Sequence, residues 1–133
     1  MFVLLSIEPS YASAIMSGKK RYEFRRTIFK AKDVQRIYVY STAPVKRIIG
    51  SFEVREIVKD TPRNLWSRFS KWSGMNSKDF FGYFASRSVG FAIGVESTKV
   101  FSTPIDPWTS FKRFAPPQSF CYLNNPLQST DAS

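Results

Sequence analysis

The chain opens on Phe2 to Ile7, a run apolar at nearly every position, which predicts a central strand covered on both faces. Glu8 and Pro9 then begin a helix, because the first helical position needs no amide hydrogen. Tyr11, Ala14, Ile15 and Met16 supply its apolar side, and Gly18 ends it as a left-handed cap. From about Lys20 to Arg26 the period shortens to two. Tyr22 and Phe24 fall on one face of an extended strand, and Lys19, Arg21, Glu23 and Arg25 on the other.

A charged turn near residues 31 to 33 leads to a strand over Val34 to Ser41, where Ile37 and Val39 alternate with Arg36, Tyr38 and Tyr40. Ala43 and Pro44 break it, and Val45 to Lys59 resumes as a long extended run with Gly50 marking a bulge or bend. Thr61 and Pro62 start a helix whose buried stripe is Leu65, Trp66 and Phe69. Ser77 caps another, and its aromatic stripe of Phe80, Phe81, Tyr83 and Phe84 reads as core rather than as a binding surface. Phe91 to Val100 is a further strand, Asp106 to Trp108 a short helical turn, and Gln118 to Leu123 a last strand after Pro116 and Pro117. Asn124 to Ser133 lacks periodicity and reads as a disordered tail behind one domain, 1–123. Five or six strands with inserted helices predict an α+β fold, a mixed-sheet barrel rather than a doubly wound sheet.

Composition narrows the chemistry. The 133 residues carry 20 Lys and Arg against 10 Asp and Glu, a net charge of +10 that points to a polyanionic partner. Ten basic and three acidic side chains lie in residues 1 to 50, so the excess is concentrated in the first third. No histidine is present and Cys121 stands alone, which removes His-based triads and dyads, an internal disulfide and Cys-cluster metal sites. Neither a metal nor a cofactor is expected. The apolar opening run is too short for a signal sequence and no stretch reaches the roughly 18 apolar residues of a membrane span. A cytoplasmic, reduced protein without a membrane partner is the expectation.

The densest chemistry lies in Gly18 to Lys30, where six basic residues are interleaved with Tyr22, Phe24, Ile28 and Phe29. Cations between aromatic planes suit nucleic acid, RNA above DNA: Lys19, Lys20, Arg21, Arg25 and Arg26 would hold phosphates and Tyr22 or Tyr40 would stack on a base. Ser41, Thr42 and Gln118 would reach a base edge, with Glu23 in the same set. A small metal-independent hydrolase is the alternative, with Lys20 and Glu23 moving a proton while neighbouring cations stabilise developing negative charge. A third reading is a regulator or inhibitor whose basic strand meets an acidic protein surface.

Three segments in order, LLSIEPSYASAIMSGKKRYEFR, VYSTAPVKRIIGSFEV and FAPPQSFCYL, resemble the ASCH domain family, a branch of the PUA-like folds, over about residues 2 to 123. The resemblance implies a small β-barrel with flanking helices and a cleft walled by the Gly18–Lys20 segment and the residues just after it. It also implies RNA or modified-base binding, with ribonuclease or acetylated-cytidine amidohydrolase activity in some members. In the amidohydrolase branch a lysine two residues after the glycine serves the chemistry, and Lys20 stands there. The threonine three residues beyond it is Glu23 in this chain, and the third group, a glutamate, falls near Ser73.

Overall fold

The computed structural model describes residues 1–127. Strand β1 (Phe2–Ile7) and helix α1 (Pro9–Ser17) follow the pattern, with Pro9 in the first turn and Gly18 in the left-handed conformation (φ 87°), its amide donating to the Ile15 carbonyl. Strand β2 (Tyr22–Arg25) is shorter than expected. The Lys20 amide donates to Ala14 and the Arg21 amide to Trp72, so neither amide feeds the ladder, and Arg21 joins β5 only through its carbonyl, which accepts from the Val95 amide. Strands β3 (Arg36–Ser41) and β4 (Arg47–Asp60) come next, then α2 (Pro62–Phe69), a single 3-10 turn at Ser70–Trp72, and α3 (Ser77–Phe84). Strand β5 (Gly90–Ile105), α4 (Pro107–Ser110) and β6 (Phe120–Leu123) complete the order. The cap of α3 is Asn76 rather than Ser77, its side chain accepting from the Asp79 amide at 2.8 Å.

The six strands form one mixed sheet in the order β2-β5-β4-β3-β1-β6, curled into a half-barrel. β1 runs parallel to β3 and antiparallel to β6, which makes it interior, as its apolar run requires. Gly50 sits between register shifts of β4, and a Cβ there would collide with the Lys99 carbonyl oxygen and the Met16 sulfur. The long run therefore bends where only a bare α-carbon fits between β5 and α1.

Three clusters fill the interior. One packs α1 on β1 and β3 through Val3, Leu5, Ile15, Ile37 and Val39. A second joins Phe24 of β2 to Leu65 and Phe69 of α2 and to Phe80 and Phe84 of α3. The third gathers Leu4, Tyr38, Tyr40, Ile48 and Phe101. The aromatic stripe of α3 divides: Phe80 and Phe84 are fully buried, Tyr83 is half-buried, and Phe81 is 41% exposed. Trp66, expected in the buried stripe, is only half-buried and lies against the Phe80 ring at 4.9 Å. Leu127, in the stretch expected to be a disordered tail, docks instead. Its amide donates to the Tyr38 hydroxyl at 3.0 Å and it packs on the third cluster, so an ordered segment continues past Leu123; residues 128–133 lie outside the described part. No helix is long and apolar enough to cross a membrane among the described residues.

Candidate functional site

The two edge strands of the half-barrel come together at a seam that no ladder closes, and Arg25 bridges it. Its Nη1 donates to the Ser6 carbonyl of β1 at 3.2 Å and to Glu23 Oε2 at 3.0 Å. Its Nη2 donates to the carbonyl and the hydroxyl oxygen of Ser119, at 3.2 and 2.8 Å, just before β6. A planar guanidinium suits this task because its nitrogens diverge in a fixed fork. The alternation of β2 puts Glu23 and Arg25 on the same side, as the period-two pattern requires.

A cleft of about 720 Å³ opens along this seam. Ser6, Ile7 and Glu8 line it from the end of β1, Tyr11 from α1, and Glu23 to Thr27 from β2 and beyond. Gln118 and Ser119 form the opposite lip; Met75, Tyr83 and Arg87 come from the helical insertion between β4 and β5. Lys20 reaches in from beneath. Its Nζ donates to the Ser73 carbonyl at 2.6 Å, stands 3.8 Å from Glu23 Oε1, and lies 5.2 and 5.0 Å from the ring centres of Tyr11 and Phe24. Burial pushes the Lys20 ammonium below its ordinary 10.5, with the Glu23 carboxylate opposing that shift only in part. Burial also raises the Tyr11 phenol, and the carboxylates of Asp79, Glu8 and Glu23 push the same way.

Lys20 is thus a charge held where charge is disfavoured, which sets a testable sign. The unfolded chain binds this proton more tightly than the folded one, so the penalty is complete below the lowered folded value and fades as pH rises to 10.5. Lys20→Met should lack the rise of stability with pH approaching 10.5 that the native chain shows, although it also leaves the Glu23 carboxylate and the Ser73 carbonyl without the ammonium. Urea midpoints of both proteins over that alkaline range measure the difference; a native midpoint that does not rise relative to that of Lys20→Met as pH approaches 10.5 would show that the ammonium is not held at a cost.

The sequence-predicted set does not converge as a whole. Lys20, Glu23, Arg25, Arg26, Thr42 and Gln118 line the cleft. Lys19 and Arg21 are exposed and do not line the cleft; the Arg21 amide is drawn to the Trp72 carbonyl although its own carbonyl still pairs with β5. Tyr40, proposed to stack on a base, is 2% exposed and its ring is covered by Trp108 and Phe114, at 6.2 and 5.5 Å. Ser41 is equally buried. Tyr22 stacks on Phe69 at 4.1 Å inside the second cluster. The aromatic plane at the cleft is instead Tyr83, with the Arg26 guanidinium 4.7 Å over its ring and the Arg26 amide donating to its hydroxyl at 3.1 Å. Tyr83 and Arg87 escaped sequence reasoning because they reach the site from the insertion, with no local basic run to mark them. Ser119 lay inside the FAPPQSFCYL segment, the one signal available for that lip.

Among the described residues no three of His, Cys, Asp and Glu come together, and the site presents lysine, arginine, the two carboxylates of Glu8 and Glu23, hydroxyls and aromatic rings.

The ASCH domain family matches residues 5–101. A protein from Zymomonas mobilis named an ASCH domain-containing ribonuclease is 32% identical over 122 residues, covering 90% of this chain and 82% of the relative. The crystal structure of ASCH from Zymomonas mobilis superposes with a TM-score of 0.86 at 32% identity, over 92% of this chain and 87% of that one. A variant of that protein with one Tyr changed to Phe superposes at 0.85 and 31% identity, over 92% and 89%.

Proposed function

The chain belongs to the ASCH domain family, and from that premise we propose that its seam cleft binds single-stranded RNA. The observation that carries this reading is the pairing of two exposed guanidinium groups, Arg26 and Arg87, with the Tyr83 plane at the mouth of a cleft wide enough for a nucleotide. Exposed guanidinium groups take phosphates, a tyrosine face takes an unstacked base, and Gln118 and Thr42 supply groups for its polar edge. Arg25, with both terminal nitrogens engaged inside the protein, holds the cleft in shape rather than gripping phosphate.

Counterion release gives the test. Affinity for a single-stranded RNA should fall with salt, and Arg26→Ala or Arg87→Ala should each lower the log-log slope by about 0.7. Tyr83→Phe should leave that slope alone while Tyr83→Ala weakens binding. Failure of the native protein to bind any RNA at low salt would overturn the reading.

A second reading, cleavage of the bound RNA, is favoured by the buried Lys20 beside Glu23 and by the name of the Zymomonas relative. In that step the RNA 2′-oxygen attacks the adjacent phosphorus as its proton passes to the Glu23 carboxylate. The new O2′–P bond forms, the P–O5′ bond breaks, and the Lys20 ammonium, made more acidic by burial, gives its proton to the departing 5′-oxygen. Glu23→Gln should then retain RNA binding and abolish formation of the 2′,3′-cyclic phosphate product. The amidohydrolase arrangement is less well served. Lys20 and Ser73 do meet, but a serine stands where that branch has a carboxylate, and the carboxylate is on β2 instead.

A further inference from the structure

Lys19 and Arg21 belong to the basic stretch but not to the cleft, and the structure shows what they join. The Arg21 amide donates to the Trp72 carbonyl at 2.8 Å, one residue before Ser73 receives the Lys20 ammonium on its carbonyl. The chain at residues 19 to 21 is therefore stitched along the turn at 70 to 73, with Lys20 turned into the cleft and Lys19 and Arg21 left outside. Trp72, at the end of that turn, is 40% exposed, and the Lys71 ammonium lies 5.5 Å from its ring centre. Beside it the Arg68 guanidinium lies 4.9 Å over the Phe69 ring, which stacks in turn on Tyr22.

The charge of this surface is mostly basic. Between Asp60 and Asp79, residues 61 to 78 contain Arg63, Arg68, Lys71 and Lys78 and no Asp or Glu. Among the described residues, Lys19, Arg21 and Lys71 make no ion pair, whereas Lys20, Arg25, Arg36 and Arg47 each have an acidic partner and Arg68 acts at longer range on the Asp60 carboxylate. Unpaired cations around a half-exposed indole match a flexible polyanion that carries flat rings at regular intervals. An acidic protein surface would offer the charge but no repeated ring for Trp72.

We propose that Lys19, Arg21, Arg68, Lys71 and Trp72 form a second RNA contact surface, on the outer side of the turn that walls the cleft, which engages the strand beyond the nucleotides seated in the cleft. The turn is the shared partition: Met75, just after it, lines the cleft, whereas Trp72 is exposed outside that lining. The proposal rests on the RNA reading of the cleft, and RNA length separates the two. An oligonucleotide of about four residues fills one site, and one of about twelve is long enough to follow the surface across both.

The experiment measures binding of 2′-fluoro oligouridylates, which lack the attacking hydroxyl, at those two lengths over a range of salt. The triple variant Lys19→Ala, Arg21→Ala, Lys71→Ala should bind the longer RNA at least tenfold more weakly, with a slope smaller by about 2, and the shorter RNA as the native chain does. Trp72→Ala should weaken the longer RNA about fivefold at unchanged slope, and Trp72→Tyr should recover most of that loss. Native-like binding of the longer RNA by both the triple and the Trp72→Ala variants overturns the proposal. So does an equal loss for both lengths, which would trace the effect to the cleft, and so does a loss confined to polyglutamate, which would make this a protein-facing surface. If the native chain binds only the longer RNA, and through these residues, the cleft reading falls and the surface stands; if it binds neither length, both fall.

Discussion

Phe80→Ala should lower the unfolding free energy by about 3–5 kcal/mol, because its ring is fully buried in the cluster that joins α2 and α3 to β2. Phe24, Trp66, Phe81 and Phe84 all face it with ring centres 4.9 to 5.1 Å away, so truncation leaves a void bounded by aromatic rings that cannot collapse without leaving their own rotamers. The void would sit under the wall that carries Tyr83 and Arg87, so RNA binding should weaken together with the urea midpoint. Phe80→Leu, which keeps most of the volume, should recover a large part of both. A native-like midpoint in Phe80→Ala would show that the insertion does not contribute to cooperative unfolding.

Arg25→Ala is the second large effect, and its mechanism is electrostatic and topological. It removes every bond from the guanidinium to Ser6, Glu23 and Ser119, and leaves Lys20, among the described residues, as the one ion-pair partner of a 7% exposed Glu23 side chain. Breaking a buried pair of this kind costs about 3 kcal/mol. The seam would lose its bridge, so RNA binding should drop far more than the loss of a single phosphate contact explains, while the salt slope changes little because this side chain is not offered to phosphate. Arg25→Lys should not rescue it: one ammonium cannot span two carbonyls, a hydroxyl and a carboxylate lying in different directions. A slope reduced by about 0.7 with unchanged stability would instead make Arg25 a phosphate ligand.

The elements were legible wherever local chemistry decides them. Pro9 and Gly18 bracket α1, Gly50 marks the bend of β4, and the apolar run of β1 announces an interior strand, each through sterics or burial that act within a few residues. The extent of β5 was underestimated. The expected strand stops at Val100, whereas β5 runs on to Ile105; Phe101 to Ile105 carries Pro104 and no clean alternation, and it is held by pairing with β4, where Ile105 meets Ile48. The site was half legible. Lys20, Glu23, Arg25 and Arg26 are neighbours in sequence and stay neighbours in space. Whether a cation faces the cleft, however, depends on where the ladder begins and on the Trp72 carbonyl that captures Arg21. Tyr40 misled because an aromatic at a strand end beside Ser and Thr looks like a base platform; the rings that cover it come from Trp108 and Phe114, on a later segment of the chain.

The order of the strands also bears on synthesis. The two outermost strands, β2 and β6, have four residues each, against 14 and 16 for β4 and β5 within the sheet. Short margins offer little template for another molecule's strand, which favours a finished chain that stays dispersed at high concentration. The unfinished chain differs. Until residues 118 to 123 emerge from the ribosome, β1 has an unpaired apolar margin and Arg25 has no Ser119 to grip, so a nascent or prematurely terminated chain is at once prone to associate and without a closed cleft. Closure of the seam therefore arrives with β6, after every other strand of the sheet has been made.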